Sequence, residues 1–206
     1  MAINLQKGQT INLAKDQFDL SRVTIGLGWD VKKKGFLASL FSDSNDYDLD
    51  AIAFLLDKDG KVARLGNRLN GGDVVFYNNL RHFSGNVYHT GDNRTGEGDG
   101  DDEQIVVKLN QIGEEYAKIV FIVSIYQGRQ NRQDFGQIEN AFIRAVDAKN
   151  REMLRYDLSH EDSFVGKRSM IFGELYRHNG NWKFRAIGTP YETDSFVEIL
   201  KDHYLG

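Results

Sequence analysis

The chain has 206 residues, a mass of 23.5 kDa, a formal charge of −4 at pH 7 and no cysteine. Disulfides and thiolate metal sites are therefore excluded, and the acidic balance argues against nucleic acid as a partner, because nucleic-acid binding depends on neutralising phosphates. No apolar run reaches the roughly 18 residues of a membrane span and no signal-peptide pattern opens the chain, so we expect a cytoplasmic protein with one domain over residues 1–206 and no direct membrane insertion.

Apolar residues alternate with polar or small ones between closely spaced turn signals, a pattern typical of all-β proteins. Residues 23–30 form the first clear strand, whose glycine-containing face would let another backbone approach closely. Residues 48–56 form the next, with the carboxylates of Asp48 and Asp50 on the same face at its start. The turn at 57–60 then predicts a hairpin.

A short strand over residues 73–79 ends in the side-chain amides of Asn78 and Asn79. Residues 104–109 resume strand character. The continuously apolar, β-branched run 118–126 predicts a central strand that is covered on both faces.

Two hairpins and a helix complete the pattern. The hairpins are 140–146 with 153–158, around the turn 147–150, and 171–177 with 182–187, around the Asn-Gly turn 178–181. Thr193-Asp194-Ser195 can cap a helix over about 193–204, which we expect to pack on the sheets. The prediction is a two-sheet β-sandwich with short peripheral helices and a C-terminal helix. Residues 31–46 stay open as a short helix, a flap or a contact surface.

Residues 92–103 concentrate the negative charge of the chain. They carry six acidic side chains and one arginine, a formal charge of −5 against −4 for the whole protein. Such a segment is either a solvated turn or a set of carboxylates that converges on a cation. Gly96, Gly98 and Gly100 favour convergence, since glycine lets carbonyl groups turn inward. Hard oxygen ligands, roughly 6–8 of them, suit calcium better than magnesium.

Acids and amides at the predicted strand ends could supply further ligands. Asp30 ends one strand, the Asp48/Asp50 pair starts the next, and Asn78 and Asn79 end a third. Ordinary turn chemistry is the alternative for each of them, because Asp and Asn favour strand ends.

Several stretches together resemble the TerD family of bacterial tellurite-resistance and stress proteins, over a match from Ile3 to about Tyr191. They are Gly26-Leu27-Gly28-Trp29-Asp30, Tyr47-Asp48-Leu49-Asp50-Ala51, Phe76-Tyr77-Asn78-Asn79-Leu80, the acidic stretch from His89 to Glu103, Phe135-Gly136-Gln137 with Ala141-Phe142-Ile143-Arg144, and Phe172-Gly173-Glu174-Leu175-Tyr176-Arg177-His178-Asn179-Gly180.

The resemblance implies a calcium-binding β-sandwich that acts in tellurium-oxyanion resistance and chemical stress. The lack of catalytic motifs in the residues leads us to expect that it is not an enzyme. The resemblance also implies partners among other tellurite-resistance proteins, including an integral membrane protein of the TerC type. Arg94 is read as an internal counterion of the acidic segment. The positions that the resemblance assigns to the metal site are Asp30, Asp48, Asp50, Asn78, Asn79, Asp92, Asn93, Arg94, Gly96, Asp99, Asp101, Asp102 and Glu103.

This sequence departs from the family pattern at Ile52, where many members have serine, and in longer stretches at 31–46 and 64–72. Two other functions stay open. A divalent-metal phosphoesterase could reuse the acidic cluster, although the chain has no Gly-x-Ser-x-Gly elbow and no phosphate loop. A calcium-dependent lectin would also fit an acidic edge. The histidines give no indication of a zinc site, because the five of them show no zinc-ligand spacing.

Overall fold

The computed structural model describes residues 2–31, 47–91, 101–157 and 164–206, which fold mainly as β-strands in two sheets. The predicted all-β sandwich is confirmed. The strands are β1 Ile3–Asn4, β2 Thr10–Leu13, β3 Val23–Val31, β4 Leu49–Leu56, β5 Val74–Val75, β6 Val87–His89, β7 Glu103–Val107, β8 Lys118–Ile125, β9 Ile138–Val146, β10 Glu152–Asp157, β11 Ser169–His178 and β12 Asn181–Tyr191.

Within the described residues each sheet has six strands. Sheet A has the order β1-β10-β9-β3-β7-β6, and sheet B has the order β2-β12-β11-β8-β4-β5. The paired strands are antiparallel except β1 and β10, which run parallel. As predicted, β8 is central: it lies between β11 and β4, and it is buried from Ile119 to its end.

Alternation along β4 shows how the layers form. Ala51 and Ala53 point into the core between the sheets, whereas Ile52 and Phe54 point to a second apolar cluster on the outer face of sheet B. Successive side chains of a strand face opposite ways, so Asp50 shares the outer face with Ile52.

The second apolar cluster is covered by a short C-terminal helix, α1, at Phe196–Ile199, which a π-helical turn at Leu200–Tyr204 continues. The ring of Phe196 lies 6.3 Å from that of Phe54 and 5.2 Å from that of Phe76. The predicted helix and its packing on the sandwich are confirmed. No helix among the described residues is long and apolar enough to cross a membrane.

The predicted cap differs from the structure. Ser195 stands at the N-cap position, but its side chain makes no capping hydrogen bond. Instead the backbone N–H of Ser195 donates to Thr193 Oγ1 at 3.0 Å, and the backbone C=O of Asp194 accepts a hydrogen bond from Ser124 Oγ at 2.9 Å. The start of the helix is thus held by one local bond and by one bond from Ser124 of β8.

The predicted turns are present, but the one at 57–60 does not close a hairpin, because β4 pairs with β5 at Val74–Val75 and with β8. Asp57 Oδ1 accepts the backbone N–H groups of Asp59 and Lys61, both at 2.9 Å. Asn179 and Gly180, between β11 and β12, have φ angles of 51° and 75°. Positive φ at both central residues is what a type I′ hairpin turn requires.

One side edge of the sandwich, where β5 ends sheet B and β6 ends sheet A, is closed by residues 62–89. The loops at this edge are joined by a cluster of buried polar side chains, Asp73, His82 and Tyr116, which we call the edge cluster. The Tyr116 hydroxyl donates to Asp73 Oδ1 at 2.5 Å, and His82 Nε2 lies 3.1 Å from the same oxygen. The backbone N–H of Arg64 donates to Asp73 Oδ2 at 2.9 Å. Asp73 therefore ties three separate segments together.

Candidate metal-binding end of the sandwich

The end of the sandwich where β3 finishes and β4 and β7 begin gathers the described candidate residues, and we call it the acidic end. Pairing aligns Leu27 of β3 with Glu103 of β7, whose carboxylate accepts a hydrogen bond from the N–H of Ala51 in β4. The stretch after β5 reaches the same end because β5 runs antiparallel to β4. The candidates found here are Asp30, Asp48, Asp50, Asn78, Asn79, Asp101, Asp102 and Glu103; the others, Asp92, Asn93, Arg94, Gly96 and Asp99, lie outside the described residues.

Asp101 lies on the outer face of sheet A, directly over Gly26. A Cβ atom at residue 26 would collide with the Asp101 carboxylate. Arg144 Nε donates to Asp101 Oδ1 at 2.7 Å, and Gln104 Nε2 donates to Oδ2 at 3.1 Å. The glycine face of β3 therefore admits a carboxylate, where the sequence predicted a backbone. The hydrogen bond with Asp101 also raises the pKa of the Arg144 guanidinium, which makes Arg144 the local counterion.

Asp102 sits between the ends of β3 and β7 with a surplus of negative charge around it. Its Oδ2 accepts the backbone N–H of Trp29 at 2.9 Å. Burial raises the pKa of Asp102, the Trp29 bond opposes that effect, and the nearby carboxylates of Asp30 and Asp101 raise the pKa further. Asp30 is exposed, and it accepts a hydrogen bond from Asn140 Nδ2 at 2.8 Å. A cation bound here would offset the repulsion among these carboxylates.

Glu103 links the two sheets at this end. It is 1% exposed, and besides the Ala51 N–H it contacts His89 Nε2 at 3.3 Å. The N–H of Gly91 donates to His89 Nδ1 at 3.1 Å, so the ring proton is assigned to Nε2, from which it can bond to Glu103. Both flanks of the segment 92–100 are therefore attached to the sandwich by buried polar contacts.

Asp50 and Asn78 face a different surface from Asp101. Both line an open cavity of about 600 Å³ on the outer face of sheet B, together with Tyr77, Ser124 and Tyr126. The carbonyl oxygen of Asp48 accepts the N–H of Tyr126 at 2.8 Å, next to this cavity. The acidic end thus divides into a sheet A side, with Asp30, Asp101 and Asp102, and a sheet B side, with Asp48, Asp50 and Asn78.

Asn79 shows turn chemistry. Its Nδ2 donates to the carbonyl oxygen of Val74 at 2.6 Å, and its Oδ1 accepts the N–H of Gly71 at 3.3 Å. Both ends of the amide are used to hold two neighbouring loops, which is the alternative that the sequence left open for this residue.

The types of ligand atom at the acidic end indicate which metal ion could bind there. The sheet A side offers carboxylate oxygens, which suit calcium. Among the described ranges alone, no three His, Asp or Glu side chains lie close enough together to hold a metal ion. Residues 92–100, which carry Asp92, Glu97 and Asp99, lie outside those ranges.

Comparison with known proteins identifies the chain. The sequence model of the TerD domain matches residues 1–203. The chain belongs to the TerD family. Tellurium resistance protein TerX of Serratia marcescens is 56% identical to it, over 98% of this chain and 100% of that protein. General stress protein 16U of Bacillus subtilis (strain 168) is 44% identical, over 100% of this chain and 98% of that protein.

A solved structure shows the same fold. It is a homologue of telluride resistance protein (TerD) from Streptomyces coelicolor A3(2), 21% identical to this TerD-family chain, with a TM-score of 0.65. The match covers 90% of this chain and 99% of that structure.

The partners of the acidic residues in this TerD-family protein were not predicted as site residues. Arg144, Asn140 and His89 bond to Asp101, Asp30 and Glu103, respectively. Arg144 and His89 do fall within stretches that carry the family resemblance, which is the one signal the sequence offers for them. Nothing in the spacing of Asn140 points to Asp30.

The edge cluster of this TerD-family protein contains the residue types of a nucleophilic triad. Ser84 Oγ lies 2.8 Å from His82 Nδ1, and His82 Nε2 lies 3.1 Å from Asp73 Oδ1. The amides around Ser84 are already used, however: the N–H of Ser84 bonds to His82 Nδ1, that of Gly85 to the His82 carbonyl, and that of Asn86 to Ser84 Oγ. None of these three amides is left to stabilise an oxyanion, so the arrangement stabilises a turn.

Proposed function

We propose that this TerD-family protein is a calcium-binding interaction module of the cytoplasm that serves tellurium resistance and the chemical stress response without being an enzyme. Its partners, on this proposal, are other tellurite-resistance proteins and a membrane protein of the TerC type. The relatives at 56% and 44% identity are named as a tellurium resistance protein and a general stress protein, which supports the biological setting.

One observation carries the calcium proposal: the crowding of carboxylates on the sheet A side of the acidic end. Asp102 has a raised pKa because it is buried close to Asp30 and Asp101. Of these three, Asp101 is paired with Arg144, at 2.7 Å. The adjoining segment 92–100 adds three more acidic side chains and one arginine. A divalent cation is the chemical species that would offset such a concentration of charge.

Calorimetric titration of the metal-free protein with calcium tests the proposal. We expect saturable binding, and we expect calcium to raise the melting temperature by mass action, because it would bind the folded chain and not the unfolded one. Coincident melting curves in calcium and in chelator would refute the proposal. Magnesium serves as the competing ion, and we expect it to bind more weakly because it demands a tighter octahedral shell.

Variants separate a specific site from ions that merely collect on a negative surface. Asp102→Asn and Asp99→Asn should each weaken calcium binding by at least tenfold, the loss expected for about 1.4 kcal/mol. Asp59→Asn is the matched control, since its carboxylate lies in an exposed turn, where it contacts Lys58. Equal losses in all three variants would mean that there is no defined site.

A further inference from the structure

Large apolar side chains protrude from the loops that close the β5–β6 edge. Six large apolar residues are exposed in the described part of the chain, and three of them fall here: Leu65, Leu80 and Phe83, with exposed fractions of 39%, 44% and 54%. Scattered exposed apolar residues are normal on a soluble protein, but half of those described lie within one stretch of 19 residues. This concentration calls for a reason.

The loops that carry these side chains touch one another. The N–H of Gly71 bonds to Asn79 Oδ1 at 3.3 Å, and the guanidinium carbon of Arg64 lies 4.9 Å from the centre of the Phe83 ring. Both loops are also attached to the edge cluster, through Asp73 and His82. Leu65 and Phe83 are therefore carried by two loops in contact with each other, and Leu80 lies on the same segment as Phe83.

Phe83 is held in its outward position. Its ring centroid lies 4.2 Å from that of His82, and the His82 ring is fully buried and fixed by Asp73 and Ser84. A hairpin bond from His82 N–H to the Val87 carbonyl, at 2.9 Å, closes the turn. Phe83 is thus a protruding aromatic side chain on a rigid support.

The stretch of sequence that carries these side chains is positively charged. Residues 61–91 carry one lysine and three arginines against one aspartate, a formal charge of +3 in a protein whose total is −4. Arg64, Arg68 and Arg81 are all exposed, whereas the aspartate, Asp73, is buried in the edge cluster. We call the group formed by Arg64, Leu65, Arg68, Leu80, Arg81 and Phe83 the basic apolar surface.

We propose that the basic apolar surface docks this protein on a membrane of anionic phospholipid, with the apolar side chains in the interface and the arginines against the headgroups. A surface that combines protruding apolar side chains with flanking arginines is suited to a lipid–water boundary. Each basic residue near an anionic surface adds to the attraction, which falls off within a Debye length.

A lipid partner suits this surface better than a folded acidic protein. A specific protein interface buries about 800 Å² per partner and needs closely complementary shape. The apolar groups here are single side chains on two loops, and a fluid lipid surface can accommodate them without a matching shape. Contact with the lipid–water interface requires no membrane-spanning helix.

Sedimentation with lipid vesicles tests the proposal. The full-length protein is incubated with vesicles of phosphatidylglycerol and phosphatidylcholine, or of phosphatidylcholine alone, in chelator and in calcium. We expect binding to the anionic vesicles in chelator, little binding to the neutral ones, and release as salt rises from about 0.1 M to about 1 M. Absence of binding to anionic vesicles in both chelator and calcium would overturn the proposal.

Variants locate the contact. Phe83→Ala should weaken binding about tenfold or more, as expected for withdrawing one large apolar side chain from the interface. Arg81→Gln should weaken it about fivefold. The matched controls are Val165→Ala, which removes an apolar side chain that is 65% exposed elsewhere, and Arg22→Gln, which removes an exposed arginine on the outer face of sheet A.

Losses in Phe83→Ala and Arg81→Gln with none in the two controls would support the proposal. Equal effects in all four variants would overturn it. Binding that needs calcium and persists in Phe83→Ala would also overturn it, because the acidic end would then be the contact. Binding to soluble polyglutamate that is as strong as binding to vesicles would assign the surface to an acidic protein.

Calcium titration of Phe83→Ala should match that of the unaltered protein, so failure of the membrane proposal is distinguishable from failure of the calcium proposal.

Discussion

Gly26 and Asp101 show how one residue without a side chain determines the electrostatics of the acidic end. The carboxylate of Asp101 occupies the position that a Cβ of residue 26 would take. From there it reaches the Arg144 guanidinium, and its side chain is only 2% exposed. A buried carboxylate needs such a partner because removal from water disfavours its charge.

Substituting Gly26 by alanine should therefore displace Asp101 from Arg144. We expect Gly26→Ala to lower the free energy of unfolding by about 1–3 kcal/mol, the usual cost of overpacking, as measured by urea unfolding. The double variant Gly26→Ala/Asp101→Ala removes the collision, so its loss should be smaller than the sum of the two single losses. Additive losses would show that the added methyl group and the carboxylate do not meet.

The pairing of Asp101 with Arg144 was beyond sequence reasoning. The two residues lie 43 positions apart, and they meet only because β3 pairs with β7 on one side and with β9 on the other. Hydrophobic alternation predicts that a strand exists, but it does not say which strands are neighbours. The acidic segment was visible as a concentration of charge, whereas its counterion was not.

At the scale of elements, alternation and turn chemistry predicted the long strands well. β3, β4 and β8 to β12 appear where the pattern indicated them, and the Asn-Gly pair closes the hairpin between β11 and β12 as predicted. The short strands β1, β2 and β6 were missed, since runs of two to four residues carry too little periodicity. The strand predicted for residues 73–79 shrinks to Val74–Val75 because the side chain of Asn79 closes a turn.

The C-terminal helix depends on packing for its stability. Its α-helical part has four residues and lacks a side-chain cap, and so short a helix is unstable on its own. Phe196→Ala should therefore lower the free energy of unfolding by about 3–5 kcal/mol, measured by urea unfolding. Glu198→Ala, on the exposed side of the same helix, should change it by less than about 0.5 kcal/mol. Similar losses in both variants would contradict packing as the source of stability.

At the scale of the whole molecule, opposite charges are concentrated in two neighbouring stretches of the sequence. The segment 92–103 carries −5, and residues 61–91 just before it carry +3. Calcium bound at the acidic end would reduce the repulsion between that end and an anionic membrane. The two proposals are thereby coupled: calcium should strengthen vesicle binding beyond the level seen in chelator, while the residues that contact lipid stay the same.

Asp147, a residue away from the acidic end, has a lowered pKa and is expected to contribute to the response of the fold to acid. Asp147 follows β9 at the opposite end of the sandwich, since β9 starts beside Val31. Its carboxylate accepts hydrogen bonds from the backbone N–H groups of Lys149 and Arg151 and from the Arg151 guanidinium, at 2.7–2.9 Å. Burial acts to raise the pKa of Asp147, but these bonds and one from the N–H of Asp19 outweigh it and hold the pKa below the ordinary value of 3.8.

The sign of the pH effect follows from this lowered pKa. A carboxyl group with a depressed pKa in the folded state stabilises the fold above its unfolded pKa, and the contribution is lost as the pH falls through the folded value. Asp147→Asn should lower the free energy of unfolding by about 2–3 kcal/mol at pH 7, because the N–H donors of Lys149 and Arg151 would then face the N–H₂ group of an amide. Below pH 3.8 the difference in free energy of unfolding between the variant and the unaltered protein should narrow. Urea unfolding at pH 7 and below pH 3.8 would measure this difference. A gap that stays constant, or an equal gap in Asp59→Asn, would assign the acid sensitivity to other carboxylates.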